Sequence, residues 1–273
     1  MYFRERSIIM YKYKYNKVAN EVETEISPMA YTVPETHQPC KGARTELPNG
    51  LKELATLSEI CVSRNVNVCE VFLCCTPRQA SFSVLSCADP PEEFLSIKES
   101  GMCVFRECLG AARNLYLRLN NVDDETVATI NRSMTCSRGC CGTCCPPIMS
   151  INSPPYIRLG TIEERVDCCC PTFDVLSYKE REPMLTYTTN CCYLKICYWF
   201  TNVEIQVHDS TTNECVAKII KKSKGDGAEL CNLKNDFIIQ YLTDLNIIQR
   251  LMILGTCLLT DFNNFEHDRR FCC

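Results

Sequence analysis

The most apolar stretch of the chain is short for a membrane span. It runs from Ile247 to Phe262, Ile-Ile-Gln-Arg-Leu-Met-Ile-Leu-Gly-Thr-Cys-Leu-Leu-Thr-Asp-Phe. Its unbroken part, Leu251–Leu259 with Gly255 and Thr256 tolerated, rises ~14 Å as a helix at ~1.5 Å per residue, against a hydrocarbon thickness of ~30 Å. Lengthening it takes in Gln249 and Arg250 on one side and Asp261, Asn263 and Asn264 on the other. A helix apolar all round and this short reads as one buried in a protein core. A spanning helix is the alternative.

The rest of the chain reads as short strands. Ala80–Leu85 alternates around Phe82 and Val84; Leu115, Leu117 and Leu119 alternate with Tyr116 and Arg118. Val127 and Ile130 fall in another short run, Val203, Ile205 and Val207 alternate with Glu204 and Gln206, and Cys215–Ile220 is a further apolar run. Turn signals separate them: Pro90-Pro91, Pro146-Pro147, Pro154-Pro155 and Gly225-Asp226-Gly227. Many short strands at this spacing predict a mainly β fold, an antiparallel barrel or sandwich. Before them, Leu51, Leu54, Leu57 and Ile60 recur at near-helical spacing and predict a short amphipathic helix. Residues 1–46 read as a tail punctuated by Pro28, Pro34 and Pro39, with Tyr11-Lys-Tyr-Lys-Tyr15 as its one aromatic-basic run.

Composition matters at two points. A net charge of −4 from 29 basic and 33 acidic residues excludes the basic excess of a nucleic-acid-binding domain. Cysteine is the anomaly, at 24 of 273 residues. The start, MYFRERSIIMYKYKYNKV, has no apolar run of signal-peptide length, which points to a reducing compartment rather than a disulfide scaffold. The sequon Asn131-Arg132-Ser133 means little without secretion. The cysteines cluster at Cys74-Cys75, Cys103 and Cys108, Cys136–Cys145, Cys168-Cys169-Cys170, Cys191-Cys192 with Cys197, and Cys272-Cys273. Zinc is one reading, with Cys141-x-x-Cys144 and a second pair such as Cys168 and Cys170, although adjacent cysteines diverge and suit tetrahedral ligation poorly. His37, His208 and His267 stand outside the clusters. Acylation is another: stable anchoring takes two signals, which repeated pairs supply. Single cysteines such as Cys61, Cys69, Cys215 and Cys257 read as small core residues on strands.

Enzyme motifs are missing. The chain has no G-x-S-x-G, no Walker loop and no dinucleotide fingerprint. Glu163-Glu164 and Asp123-Asp124-Glu125 read as solvated faces rather than paired catalytic acids.

The order of the motifs carries a resemblance. Gly50-Leu-Lys-Glu-Leu-Ala-Thr-Leu-Ser-Glu-Ile60 is followed by Glu70-Val71 and by Cys103-Val-Phe-Arg-Glu-Cys108-Leu-Gly110, Arg113 and Leu117-Arg118. Then come Cys136–Cys145, Pro154-Pro155-Tyr-Ile-Arg-Leu159-Gly160, Pro171-x-Phe173, Leu185, Cys191, Val203-Glu-Ile205 and Lys218-Ile-Ile-Lys221. The series ends with Asn235-Asp-Phe-Ile-Ile-Gln-Tyr-Leu-Thr-Asp244-Leu245, Leu254-Gly-Thr-Cys257-Leu-Leu259, Asp261-Phe262 and Phe265-Glu266. Across about residues 48–266 the chain resembles the phospholipid scramblase family, as a diverged member. Tyr156 stands where the family has Gly, and Val166 and Ser223 where it has aromatics; Thr189-Asn190 replaces Gly-Pro.

The resemblance implies a closed antiparallel β-barrel around a central apolar helix, similar to the tubby C-terminal domain. It divides the chain into a tail at 1–46, a barrel domain at 47–266 with its helix at 247–262, and a Cys-ending tail at 267–273. It implies ATP-independent movement of phospholipids in both directions across a bilayer, with no chemical active site. It further implies a membrane-associated, largely cytoplasm-facing protein, at the plasma membrane, with membrane phospholipids as partners and protein partners or a homo-oligomer besides. Cys140, Cys141, Cys144 and Cys145 sit at the family's palmitoylated run. The family's calcium segment falls on Asn235, Asp236, Phe237, Ile239, Tyr241 and Asp244. Calcium takes six to eight oxygen ligands; with Leu233 at the first ligand position and Asn235 in place of a carboxylate, weak or absent Ca2+ binding is expected. Lipid passage needs polar groups at membrane depth, and Gln249, Arg250, Thr256, Thr260 and Asp261 are the candidates. Arg250 and Asp261 read more simply as wet caps of a buried helix. An acylated interaction protein without transport, and a zinc-binding module, are the other two functional readings.

Overall fold

Alternation with a period of two places successive side chains on opposite faces of a strand, and the described residues form twelve strands. The computed structural model describes residues 47–65, 79–101, 112–134, 148–154, 157–166, 171–178, 183–189, 202–222 and 236–265. A short helix, α1 (Leu51–Thr56), opens these segments. It precedes strands β1 (Glu59–Asn65), β2 (Ser81–Ser86), β3 (Glu93–Ser100), β4 (Leu115–Asn121), β5 (Thr126–Arg132) and β6 (Ile148–Ser153). Next come β7 (Ile157–Val166), β8 (Pro171–Ser177), β9 (Pro183–Thr189), β10 (Val203–Asp209), β11 (Cys215–Lys221) and β12 (Asp236–Tyr241). Helix α2 (Ile247–Thr260) and a π-helical turn, Asp261–Phe265, complete them.

Each strand runs antiparallel to its sequence neighbour, and β12 pairs with β1 to close the barrel. Ile60 lies opposite Ile239 and Val62 opposite Phe237 across that seam. Closure leaves no free sheet edge. Of the two architectures that the strand pattern permits, the barrel is the one observed, and α2 fills it.

Helix α2 is buried all round. Leu251, Met252, Ile253, Leu254, Cys257, Leu258 and Leu259 are all at most 2% exposed. They meet the inward side chains of the strands, among them Phe82, Ile97, Leu117, Ile130, Phe173 and Tyr187. No helix among the described residues is long and apolar enough to cross a membrane. Two glycines bring helix and wall together. A Cβ on Gly255 would lie 2.6 Å from Ile151 and 2.9 Å from Ile162. One on Gly160 of β7 would lie 2.7 Å from the Leu176 carbonyl and 2.7 Å from the Met252 methyl.

Both ends of α2 are fixed by buried charge. The helix starts at what is here termed the proximal rim. There Asn246 caps it by accepting the Gln249 N–H, and the Gln249 side chain accepts the Asn246 N–H in return. Arg250 is 4% exposed and donates to the carbonyls of Leu245, Leu54 and Leu57, which ties α1 to α2. Its guanidinium also lies 4.4 Å from the Tyr241 ring centre. At the opposite, distal rim, Asp261 is fully buried and accepts from Arg64 Nη1 at 2.8 Å. Arg113 donates to both oxygens of Glu99, at 2.8 and 3.2 Å. Arg132 donates to Asn263 and to the Arg113 carbonyl, and Asn263 donates in turn to Glu164. The guanidinium groups of Arg64, Arg113 and Arg132 lie 5.6, 5.5 and 6.0 Å from the centre of the Phe262 ring.

Five sequence expectations change. The spacing that carried a helix to Ile60 ends at Thr56, because Leu57 turns extended and Glu59 opens β1. The terminal helix leaves α geometry at Asp261, where a π turn lets Asp261 and Asn263 both reach wall arginines. Arg250 and Asp261 cap the helix but are dry, since each has protein partners inside the barrel mouth. Glu164 is 6% exposed rather than solvated, because it lies in phase with buried Ile162. Of the single cysteines, Cys257 is core but on the helix, while Cys61 and Cys215 are half-buried.

Gly160→Ala is expected to lower stability by about 1–3 kcal/mol, because a backbone carbonyl stands in the way. Gly255→Ala should cost less, since the helix regains up to about 1 kcal/mol on losing glycine and flexible methyl ends can give way. Urea unfolding midpoints of the two variants check the order. Arg64→Met, which leaves Asp261 charged and buried, is expected to cost about 3–5 kcal/mol, and Arg64→Met with Asp261→Leu much less. A double-mutant cycle in the same assay reads the difference.

Candidate functional site

The described residues to which the resemblance assigns calcium do not converge. Within β12, Phe237, Ile239 and Tyr241 point into the barrel and are 1%, 0% and 7% exposed. The spacing of alternate ligands in a loop equals the two-residue period of a strand, so here it selects the core face. Asp236 pairs with Ser63 at the distal end of β12, and Asp244 is exposed beyond its proximal end. A strand rises ~3.3 Å per residue, which separates the two by well over ~15 Å along the barrel. Asn235 and Leu233 lie outside the described residues. Among the described residues, no group of three or more His, Cys, Asp or Glu could hold a metal ion.

The polar helix residues named for lipid passage are spent inside the protein. Thr256 and Thr260 are fully buried and donate to the Met252 and Thr256 carbonyls of their own helix. Arg250 and Asp261 hold the partners given above, and half-buried Gln249 serves the α2 cap.

The acylation candidates Cys140, Cys141, Cys144 and Cys145 fall outside the described residues, as do Cys69, Cys168, Cys170, Cys272 and Cys273. Acyl acceptors need thiolate character and access, and two of the described cysteines lack one or both. Cys257 is buried, and burial holds its thiol pKa well above the usual value. Cys87 is exposed, yet partial burial, with Glu59 beside it, pushes its pKa up to about 11.

Among the described residues, a groove of about 790 Å³ runs from the distal rim onto the outer wall. Register builds its floor. Ser100, Tyr116, Asn131, Ser150 and Thr161 are successive cross-strand partners on β3, β4, β5, β6 and β7. They form one polar row across five strands, each half-buried. Arg113 and Arg132 back the groove from the barrel mouth and exposed Arg158 stands on its wall. Glu99 is the one carboxylate in its described lining, and it is held by Arg113 and by the Ala80 N–H. The Oδ1 of Asn131 is buried in the middle of the row with no hydrogen-bond partner among the described residues. Sequence reading passed over this row because polar residues on the outer face of a strand carry no signal alone. Asn131 stood out only as a sequon, and its half-buried place in the barrel wall suits no glycan.

The scramblase family model matches residues 38–267. Phospholipid scramblase 1 of Rattus norvegicus is 26% identical over 221 residues, which cover 81% of this chain and 64% of that protein. Phospholipid scramblase 2 of Bos taurus is 26% identical over 222 residues, covering 81% of this chain and 73% of that protein. The match thus spans a little under two thirds of the rat relative's length. A solved protein of Arabidopsis thaliana is similar with a TM-score of 0.42 at 13% identity, over 78% of this chain and 96% of that one. With the family match running over most of its length, the chain belongs to the scramblase family.

Proposed function

We propose that this chain moves phospholipids between the leaflets of a membrane, in both directions and without ATP. The observation that carries the reading is the family match over residues 38–267, which encloses the whole barrel and its helix. Relatives named phospholipid scramblases support it over 81% of the chain. Such movement only equilibrates leaflets, so it needs no covalent step. The barrel interior is filled by α2 and by Phe82, Phe173, Phe237 and Tyr187. Headgroups therefore pass over the outer wall rather than through the centre.

Strand topology supports a direction of attachment. Each of the six connections that join strand ends at the distal rim carries at least one cysteine in its sequence, and those at the proximal rim carry Cys87 alone. The proximal rim instead exposes acidic residues on its turns, including Asp89, Glu92, Asp123, Asp124, Glu214 and Asp244. An anionic leaflet repels such a rim. Acylation in the distal connections, with Cys140, Cys141, Cys144 and Cys145 as first candidates, turns that rim to the bilayer. Calcium has no required part in this reading, since β12 spends its alternate positions on the core.

Reconstitution with a fluorescent phospholipid and a membrane-impermeant quencher tests transport. Quenching well beyond half of the fluorescence, equal with and without calcium, is the expected result. Quenching that stays near half with the protein incorporated overturns transport; quenching that requires calcium overturns the calcium-free reading. In cells, replacing Cys140, Cys141, Cys144 and Cys145 by Ala is expected to shift the protein from the membrane to the soluble fraction, because anchoring needs at least two acyl chains. Hydroxylamine treatment of the unsubstituted protein should do the same, as read by fractionation.

A further inference from the structure

The groove on the outer wall has the chemistry of a headgroup site. Among the described residues, three guanidinium groups and one carboxylate line it, which makes that lining locally cationic on a chain whose net charge is −4. Guanidinium is the side chain best matched to phosphate oxygens. Arg113 and Arg132 are committed to Glu99, Asn263 and the Arg113 carbonyl, and they supply field rather than direct contact. Arg158 is exposed and available to a phosphate. Its volume of about 790 Å³ falls in the ~300–1,000 Å³ range of small-ligand sites.

The floor adds a preference. Asn131 Oδ1 is an acceptor, buried and without a partner among the described residues. Leaving a buried acceptor unpaired is costly, so a ligand that donates to it is favoured over one that cannot. Hydroxyl groups of Tyr116, Ser150 and Thr161 flank it along the row. We propose that this groove binds a phosphodiester headgroup carrying a hydrogen-bond donor, with the phosphate at Arg158 and the donor at Asn131, and that it discriminates against choline. Choline's quaternary ammonium has no N–H to give. The inference deepens the transport reading by naming a substrate class, and it is measured without a bilayer.

The test is calorimetric titration of the full chain in a non-ionic detergent with glycerophosphoserine, glycerophosphocholine and inorganic phosphate. Glycerophosphoserine is expected to bind roughly tenfold tighter than glycerophosphocholine, the worth of one well-made hydrogen bond to a charged donor. Arg158→Ala should weaken both by roughly tenfold. Asn131→Ala should bring the two headgroups level while leaving glycerophosphocholine unchanged. Because Asn131 lies in the barrel wall, a thermal melt confirms that the variant folds, and Arg158→Ala tests the site from an exposed position in any case. Inorganic phosphate binding as tightly as glycerophosphoserine assigns a free-anion site and overturns the proposal. So does equal affinity for the two headgroups, binding indifferent to Arg158→Ala, or no binding of any probe. Lipid movement without headgroup binding overturns this inference alone; binding without lipid movement overturns the transport reading alone.

Discussion

Everything in the barrel depends on one helix that has no face for water. A helix with a polar side can lie on a surface; α2 cannot, because its side chains from Arg250 to Thr260 are all buried. Each large aliphatic side chain sealed away contributes about 1.5–3 kcal/mol, and the wall that seals them must surround the helix completely. A sandwich covers two sides. A closed ring of antiparallel strands covers all of them, which is why the β12–β1 seam matters as much as any other pairing. Gly160 and Gly255 let wall and helix come close: a Cβ on Gly160 would meet the Leu176 carbonyl of the neighbouring strand, and one on Gly255 would have to push aside the methyl ends of Ile151 and Ile162.

An all-apolar helix inside a ring could still slide along its axis. Buried charge prevents this. Arg250 binds three carbonyls at the proximal mouth, and Asp261 binds Arg64 at the distal one. Such pairs add little net stability over apolar packing, because desolvation costs several kcal/mol per ion. They do penalise wrong registers heavily, since a one-turn shift would strand a charge in the core. Phe262 adds a second index at the distal mouth, with three guanidinium groups within 6.0 Å of its ring. The three arginines come from β1, β5 and the segment before β4, so a single aromatic ring reports the relative position of three parts of the wall.

Much of this was legible in the sequence. The apolar run, too short to span a bilayer, announced a buried helix, and alternation in β2, β4, β10 and β11 announced the wall. The distal charges were not legible, for a specific reason. Arg64 follows Ile60 and Val62 in phase, Glu99 follows Leu95 and Ile97, Arg132 follows Ala128 and Ile130, and Glu164 follows Ile162. Each occupies the next inward position of its strand, at the mouth. A charged residue there looks like the end of an apolar pattern and a return to solvent, and only the assembled ring shows that partners replace the water. β12 is ambiguous in another way. Alternate positions serve as ligands in a loop, and alternate positions are also what a strand buries. The groove was illegible because its row exists only through register across five strands.

The filled interior bears on the proposed transport as well as on stability. In that reading a lipid headgroup that crosses an apolar layer needs polar contacts along its way, and a barrel whose centre is occupied offers them only on its outside. The outer faces of β3 to β7 carry such a row, beginning at the rim from which the cysteine-bearing connections leave. The same closed ring thus separates two tasks. Inward positions spend their apolar area and their charges on holding α2 in place. Outward positions are released from packing and can be polar without cost to the core, so the outer surface can vary with little effect on the fold that carries it.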